Sequence, residues 1–186
     1  MTVEADAVRS VAGLMVLAAR TAPKAVGIDS IRTEVLTGKE QEKLADAMVA
    51  GAKETGFDFF RVNGEQVRTS DAIVLIGVEG QMSLGINCGG CGHVSCVDMA
   101  KAVVAGKNKK ALYPGPNCVI KISDLGIAVG SAVKTAAIHN VDNRIMFSAG
   151  ATAIRLGHLK GCSVAYGIPL KASGKNIYFD APMHER

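Results

Sequence analysis
The run Asp124-Leu125-Gly126-Ile127-Ala128-Val129-Gly130-Ser131-Ala132-Val133-Lys134-Thr135-Ala136-Ala137 consists mostly of small and aliphatic residues. Asp124 is suited to cap a helix running from here to about His139. The whole chain shares this character. Of its 186 residues 21 are glycine, aromatics make up 4%, and there is no tryptophan. A core of Ala, Val, Ile, Leu and Met with so much glycine implies close approach of elements and many tight turns.

Working outward from that helix, the chain alternates between helical and extended patterns. Val8, Val11, Ala12, Met15, Val16 and Ala19 follow i, i+3, i+4 spacing over residues 6–19, and Pro23 disfavours helix just before it. Ile31 to Leu36 is a short apolar segment. Thr37 then opens a second helix from Lys39 to Thr55, with Leu44, Ala45, Met48 and Ala52 inward and Gly56 as its stop. Phe57 to Val62 and Ala72 to Val78 read as strands, with the turn signal Asn63-Gly64 between them. Val94 to Gly106 reads as a helix, Val119 to Ile122 as a short strand, Ile145 to Leu156 as a helix and Cys162 to Ile168 as a buried strand. The tail from Asn176 to Asp180 reads as extended. No repeat or long linker divides the chain, so residues 1–186 are expected to form one domain of mixed α and β structure.

Hydrophobic residues at 48%, charged residues at 20% and a net charge of +4 are ordinary for a globular protein and too mild and scattered for a nucleic-acid binder. The acidic start Met1-Thr2-Val3-Glu4-Ala5-Asp6 lacks the pattern of a signal peptide, and no apolar run is long enough to span a membrane. The expectation is a cytoplasmic protein. In that reducing setting five cysteines point to metal or redox chemistry rather than to disulfides.

Four of those cysteines form one pattern. Asn87-Cys88-Gly89-Gly90-Cys91-Gly92-His93-Val94-Ser95-Cys96 is followed after 21 residues by Cys118, giving C-x2-C-x4-C-x21-C. A [4Fe–4S] cluster takes one thiolate per iron from converging directions, and two cysteines three apart can serve neighbouring irons from one tight turn. Gly89, Gly90 and Gly92 permit positive φ and let backbone N–H groups approach the sulfides. Cys96 is expected at the first turn of the following helix, where the helix dipole favours thiolate. Cys118 returns after the bend Pro114 to Asn117. Structural zinc on the same residues, with His93 able to replace a thiolate, is the alternative metal reading. Cys162 opens an apolar strand and reads as a buried small hydrophobe.

Residues 87–118 resemble the four-cysteine 4Fe-4S domain found in the B subunit of the ion-pumping ferredoxin:NAD electron-transport complex and in corrinoid iron–sulfur proteins. The whole chain resembles a family of prokaryotic proteins of unknown function described as containing a ferredoxin domain. That likeness lies in Ala18 to Lys24, in the cysteine block, in Asp124 to Ser131 and in Tyr166 to Leu170. Arg20-Thr21-Ala22-Pro23, the small-residue helix from Gly126 to Ala137, and Tyr166-Gly167-Ile168-Pro169 are also similar to the nitroreductase family.

This second resemblance implies an α+β, nitroreductase-like sandwich of sheet and helices, with residues 80–120 as an inserted four-cysteine cluster segment. It also implies FMN as a cofactor, with Arg20 and Lys24 as phosphate contacts, and a homodimer through the small-residue helices. The chain departs from that family after Pro23, where Lys24 to Ile31 contains neither Ser-x-x-Asn nor Gln-Pro-Trp.

Together these observations imply a one-cluster redox protein transferring single electrons. A flavin enzyme coupled to the cluster and a zinc-stapled scaffold are the alternatives. Lys101, Lys107, Lys109 and Lys110 come after the third cysteine, Cys96. They are suited to raise its potential and to rim a docking surface for an acidic redox partner protein.

Overall fold
Val8, Val11, Ala12, Met15 and Ala19 are all buried, and they give the first helix, α1 (Val3–Thr21), its inward stripe. Thr2 caps it, its hydroxyl accepting from the Ala5 amide at 3.3 Å. The computed structural model describes residues 2–106 and 111–179. After α1 come β1 (Ile31–Leu36), α2 (Gly38–Thr55), α3 (Phe59–Thr69), β2 (Ala72–Val78), α4 (Cys96–Ala105), α5 (Val119–Ile138), β3 (Asp142–Asn143), α6 (Phe147–Arg155) and β4 (Val164–Lys171).

The four strands form one sheet in the order β1-β2-β4-β3, antiparallel throughout. β2 is its centre and is buried at every position, so it reads as an unbroken apolar run. Alternate residues of β2 serve different layers. Ala72, Val74, Ile76 and Val78 join the core under α1 and α5, while Ile73 and Leu75 join the core under α2, α3 and α6. The result is the one domain of mixed α and β structure that the alternation of patterns implies, layered as the α+β sandwich that the nitroreductase resemblance implies.

Five expectations are corrected. Phe57 to Val62 does not form a strand; from Phe59 it belongs to α3. The inward positions Phe60, Asn63, Gly64 and Val67 follow the helical period, and Asn63-Gly64 lies inside the helix rather than in a turn. Gly64 lets α3 press against α2: a Cβ there would stand 2.9 Å from Val49 Cγ2 and 3.0 Å from the Ala45 carbonyl oxygen. Asn63 donates to the Ser148 hydroxyl at 2.8 Å, tying α3 to α6.

Val119 to Ile122 is likewise the first turn of α5 and not a strand, with Cys118 at the N-cap. Asp124 is therefore no cap but a buried residue within the helix. Residues 176–179 are not extended either. Ile177 to Phe179 form a turn, with Tyr178 buried and its hydroxyl 2.7 Å from that of Ser70. Asp180 lies outside the described residues.

Other boundaries follow local chemistry. Gly56 takes φ 74° and closes α2 as a left-handed C-cap. Gly150 sits within α6 against β4, where the absence of a side chain allows close packing. No described helix is long and apolar enough to cross a membrane.

Candidate metal centre
β2 runs out at Val78, and the chain then makes the turns that carry the first three cysteines. Gly85, Gly89 and Gly92 have positive φ, as does Asn87 at 48°. The Cys88–Cys91 turn is closed by the Gly92 amide donating to the Gly89 carbonyl at 3.0 Å. Gly90 has a different task. A Cβ there would lie 2.5 Å from Val119 Cγ1 and 3.7 Å from the Cys88 sulfur. The tip of the cysteine turn thus rests on the first residue of α5, next to Cys118.

Cys96 is the first residue of α4, and the Ser95 hydroxyl caps that helix by accepting from the Asp98 amide at 3.1 Å. Asn87 Oδ1 accepts from the Cys96 amide at 2.8 Å, clamping the two ends of the loop together. The Cys96 thiol is held below its ordinary pKa. The Asn87 backbone contributes most; burial opposes the shift, and the Ser83 hydroxyl and the Gly85 and Ile86 backbone assist it. Hydrogen bonds to the charged form favour thiolate, the form that ligates metal.

Cys118 is buried, and its amide donates to the Gly80 carbonyl at 2.7 Å, fixing it against the end of β2. The bend before it is locked. Asn117 donates to the Pro114 carbonyl at 2.8 Å, and its Oδ1 accepts from the Ser163 hydroxyl at 2.5 Å. Gly80 admits this pair, since a Cβ there would stand 2.7 Å from Asn117 Oδ1 and 2.8 Å from Ser163 Oγ. Upstream, the Tyr113 hydroxyl meets the Ala165 and Phe147 carbonyls and holds the returning chain to β4 and α6.

All five cysteines are free thiols. Among the described residues, no group of three or more Cys, His, Asp or Glu side chains is arranged to hold a metal ion. The structure orders the backbone around the four thiols and rests the Cys88 turn beside Cys118, but it does not draw the four sulfurs into a closed ligand set. The donor set itself fits an iron–sulfur cluster: thiols only, with glycines between them and backbone N–H groups around one sulfur. Cys162 is separate from this group. It is buried behind Gly77, and burial, reinforced by the Glu79 carboxylate, pushes its thiol up to about 12.

Arg20 and Lys24 are engaged within the chain. Arg20 donates to Asp29 at 2.6 Å and to the Ile31 carbonyl at 2.8 Å. The Lys24 ammonium meets the Arg20 and Ala19 carbonyls at the end of α1. Lys101 lies 3.8 Å from Asp98; Lys107, Lys109 and Lys110 fall outside the described residues.

Sequence reasoning missed a buried pair three residues beyond Cys118. Lys121 is 0% exposed, donates to the Ile28 carbonyl at 2.8 Å and stands 3.8 Å from Asp124, whose other oxygen accepts from the Ala25 amide at 3.0 Å. The available signal was a lysine and an aspartate at i, i+3 spacing among the apolar residues that open the helix. Asn87, directly before the first cysteine, was also overlooked as the clamp on Cys96.

Comparison with known proteins places this arrangement. Residues 114–181 match a family profile described as "Uncharacterized protein containing a ferredoxin domain", and residues 85–111 match one described as "Putative Fe-S cluster". A protein of Archaeoglobus fulgidus is 43% identical over 175 residues, covering 94% of this chain and 92% of its own. The chain belongs to this ferredoxin-domain family.

The iron–sulfur profile covers Cys88, Cys91 and Cys96, and the ferredoxin-domain profile takes in Cys118 and α5. Solved structures give the fold of the ferredoxin-domain protein a wider setting. Nitroreductase CinD from Lactococcus lactis, solved with nicotinic acid, has a TM-score of 0.58 at 15% identity over 96% of this chain and 82% of its own. The NADPH:FMN oxidoreductase from Vibrio harveyi, solved with NAD+, gives 0.53 at 10% identity over 90% of this chain, which spans only 60% of that enzyme. At such identities the likeness is one of fold, and the fold is nitroreductase-like.

Proposed function
We propose that the protein holds one [4Fe–4S] cluster on Cys88, Cys91, Cys96 and Cys118 and passes single electrons through it. The observation that carries this reading is the Gly90 contact, which seats the Cys88–Cys91 turn on the start of α5 beside Cys118. Thiols far apart in sequence thereby share one end of the molecule. A cluster held there supplies a one-electron couple. The chain's own residues do the rest. Asn87 and Ser95 fix where Cys96 starts its helix, Gly80 and Asn117 fix Cys118, and the backbone around Cys96 offers N–H groups to its sulfur. Such N–H groups stabilise negative charge on a thiolate and so tune the couple.

The flavin reading finds less support. The two cations that resemblance assigns to a flavin phosphate are turned to Asp29 and to backbone carbonyls, so they do not fit that role as they stand. The outer face of α1 and α5 exposes Leu14, Leu17, Ile127 and Ile138, which supports the inference of a homodimer through that face. Sedimentation of wild type against an Ile138→Glu variant checks it: the variant should be monomeric.

Anaerobic reconstitution followed by iron and sulfide analysis tests the proposal. Wild type should bind about four iron and four sulfide per chain. Cys118→Ser should lose stable cluster retention, and Cys162→Ser should keep it. Zinc bound in place of iron and sulfide, or equal retention in both variants, would refute the assignment.

A further inference from the structure
One buried charge beside the candidate centre has no part in the redox reading so far. Lys121 is a fully buried lysine in the first turn of α5, the helix whose N-cap is Cys118. Its ammonium donates to the Ile28 carbonyl at 2.8 Å and stands 3.8 Å from Asp124. At that separation the two charged groups attract without a hydrogen bond between them. Burying such a pair is costly, and an uncharged amide would also carry a donor for Ile28. Fastening residues 25–28 therefore does not by itself require a charge here.

We propose that Lys121 sets the midpoint potential of the cluster bound through Cys118, holding it higher than the thiols alone would. The inference rests on the redox reading above and names the residue that tunes its couple.

Three observations carry it. First, place: Lys121 comes three residues after Cys118, about 4.5 Å along the helix axis. Asp124 comes three residues later still, so the positive member of the pair holds the position nearer the cysteine. The Asp124 carboxylate is further occupied by the Ala25 amide, which donates to its other oxygen at 3.0 Å. Second, burial: Lys121 is 0% exposed and Cys118 5%, so water and salt screen a charge there far less than at the surface. Lys101 on α4 is by contrast 75% exposed and lies beside Asp98. Third, sign: reduction adds one negative charge to a thiolate-bound cluster, and a fixed cation stabilises that form more than the oxidised one.

The test is redox titration of the cluster-loaded full chain at pH 6, which favours the ammonium form wherever Lys121 is kept. Lys121→Gln removes the charge and retains a donor for Ile28. Asp124→Asn removes the counter-charge and retains an acceptor for Ala25. The double variant Lys121→Gln/Asp124→Asn is neutral and retains both. In Lys121→Gln the equilibrium constant for reduction should fall about tenfold, a shift of about 59 mV for one electron. Asp124→Asn should move the potential the other way, and by less. The double variant should lie between wild type and Lys121→Gln. Raising the salt concentration should leave these differences in place. Amide exchange in residues 25–28, followed in the same proteins, reports whether that segment stays fastened. Equal potentials in all four proteins would overturn the inference. So would shifts of one sign in both single variants, or shifts that track amide exchange in residues 25–28, either of which leaves Lys121 a purely structural staple. If Lys121→Gln takes up no cluster, Asp124→Asn above wild type and the double variant below it decide by the same signs. A wild-type chain that takes up no cluster fails earlier and visibly, at the redox reading itself.

Discussion

Truncating Lys121 to alanine should lower the unfolding free energy by about 3–5 kcal/mol, the usual cost of removing one partner of a buried ion pair. For a chain of this size that is a fall in melting temperature of roughly 6–20 °C. The ammonium is wholly buried and stands 3.8 Å from Asp124, whose Oδ2 has no hydrogen-bond donor of its own. Without Lys121 the Asp124 carboxylate would remain as an uncompensated buried charge. The Ile28 carbonyl would also lose its donor.

The double variant Lys121→Met/Asp124→Leu is the informative control. It removes both charges together, and apolar replacement of a buried pair is often nearly neutral. It leaves the Ala25 amide and the Ile28 carbonyl without these partners, so recovery should be partial. Denaturant titration of wild type, both singles and the double gives the cycle. The double should lose clearly less than the two singles added together; simple additivity would mean that the two charges do not depend on each other. Because the pair pins residues 25–28 to the first turn of α5, Lys121→Ala should also weaken cluster retention at Cys118, one turn away.

How far the chain could be read in advance depended on whether local pattern and tertiary packing agreed. In α1, α2 and β2 they agree: the apolar period is the burial period, and Pro23 and Gly56 mark ends that the structure keeps. In α3 they conflict. Phe57, Phe59 and Phe60 suggest a strand by residue type, yet their rings pack on one another and on Phe147 at the start of α6, while Asn63 and Gly64 have partners distant in sequence. Nothing local announces that Gly64 meets Ala45 and Val49. The start of α5 fails for a related reason. Val119 and Ile122 are β-branched, but Cys118 is anchored to Gly80, and helix begins at the next residue.

The thiols of the candidate centre could be selected from spacing and glycine content alone. Their supports could not, because Asn117 reaches Ser163 and Lys121 reaches Ile28 across long stretches of chain. Arg20 and Lys24 show a different relation between likeness and structure. A family likeness suggested a ligand, while their nearest available partners, Asp29 and the carbonyls ending α1, lie within ten residues.

The small-residue character noted at the outset makes its strongest prediction at Gly150. Substitution by alanine should cost about 3 kcal/mol or more, beyond the ordinary range for overpacking, because the obstacle is backbone. A Cβ at this position would lie 2.0 Å from the Ala165 carbonyl oxygen and 2.6 Å from the Tyr166 nitrogen. No rotamer change relieves such a contact; α6 would have to lift from β4, and with it Ala149 and Ala153, which fill the core against Ile73 and Leu75. Gly167 allows the same approach from the strand side, where a Cβ would stand 2.6 Å from that of Ala149. Helix propensity argues the other way, since alanine is favoured over glycine inside a helix by about 1 kcal/mol. Gly13 in α1 isolates that term, because a Cβ there meets nothing within 4 Å. Thermal melts should therefore move in opposite directions, with Gly13→Ala unchanged or slightly higher and Gly150→Ala lower by about 6 °C or more. If both rose together, α6 would not be seated on β4 as described. The Tyr113 contact with Ala165, which helps hold the chain leading to Cys118, would then lose its footing as well.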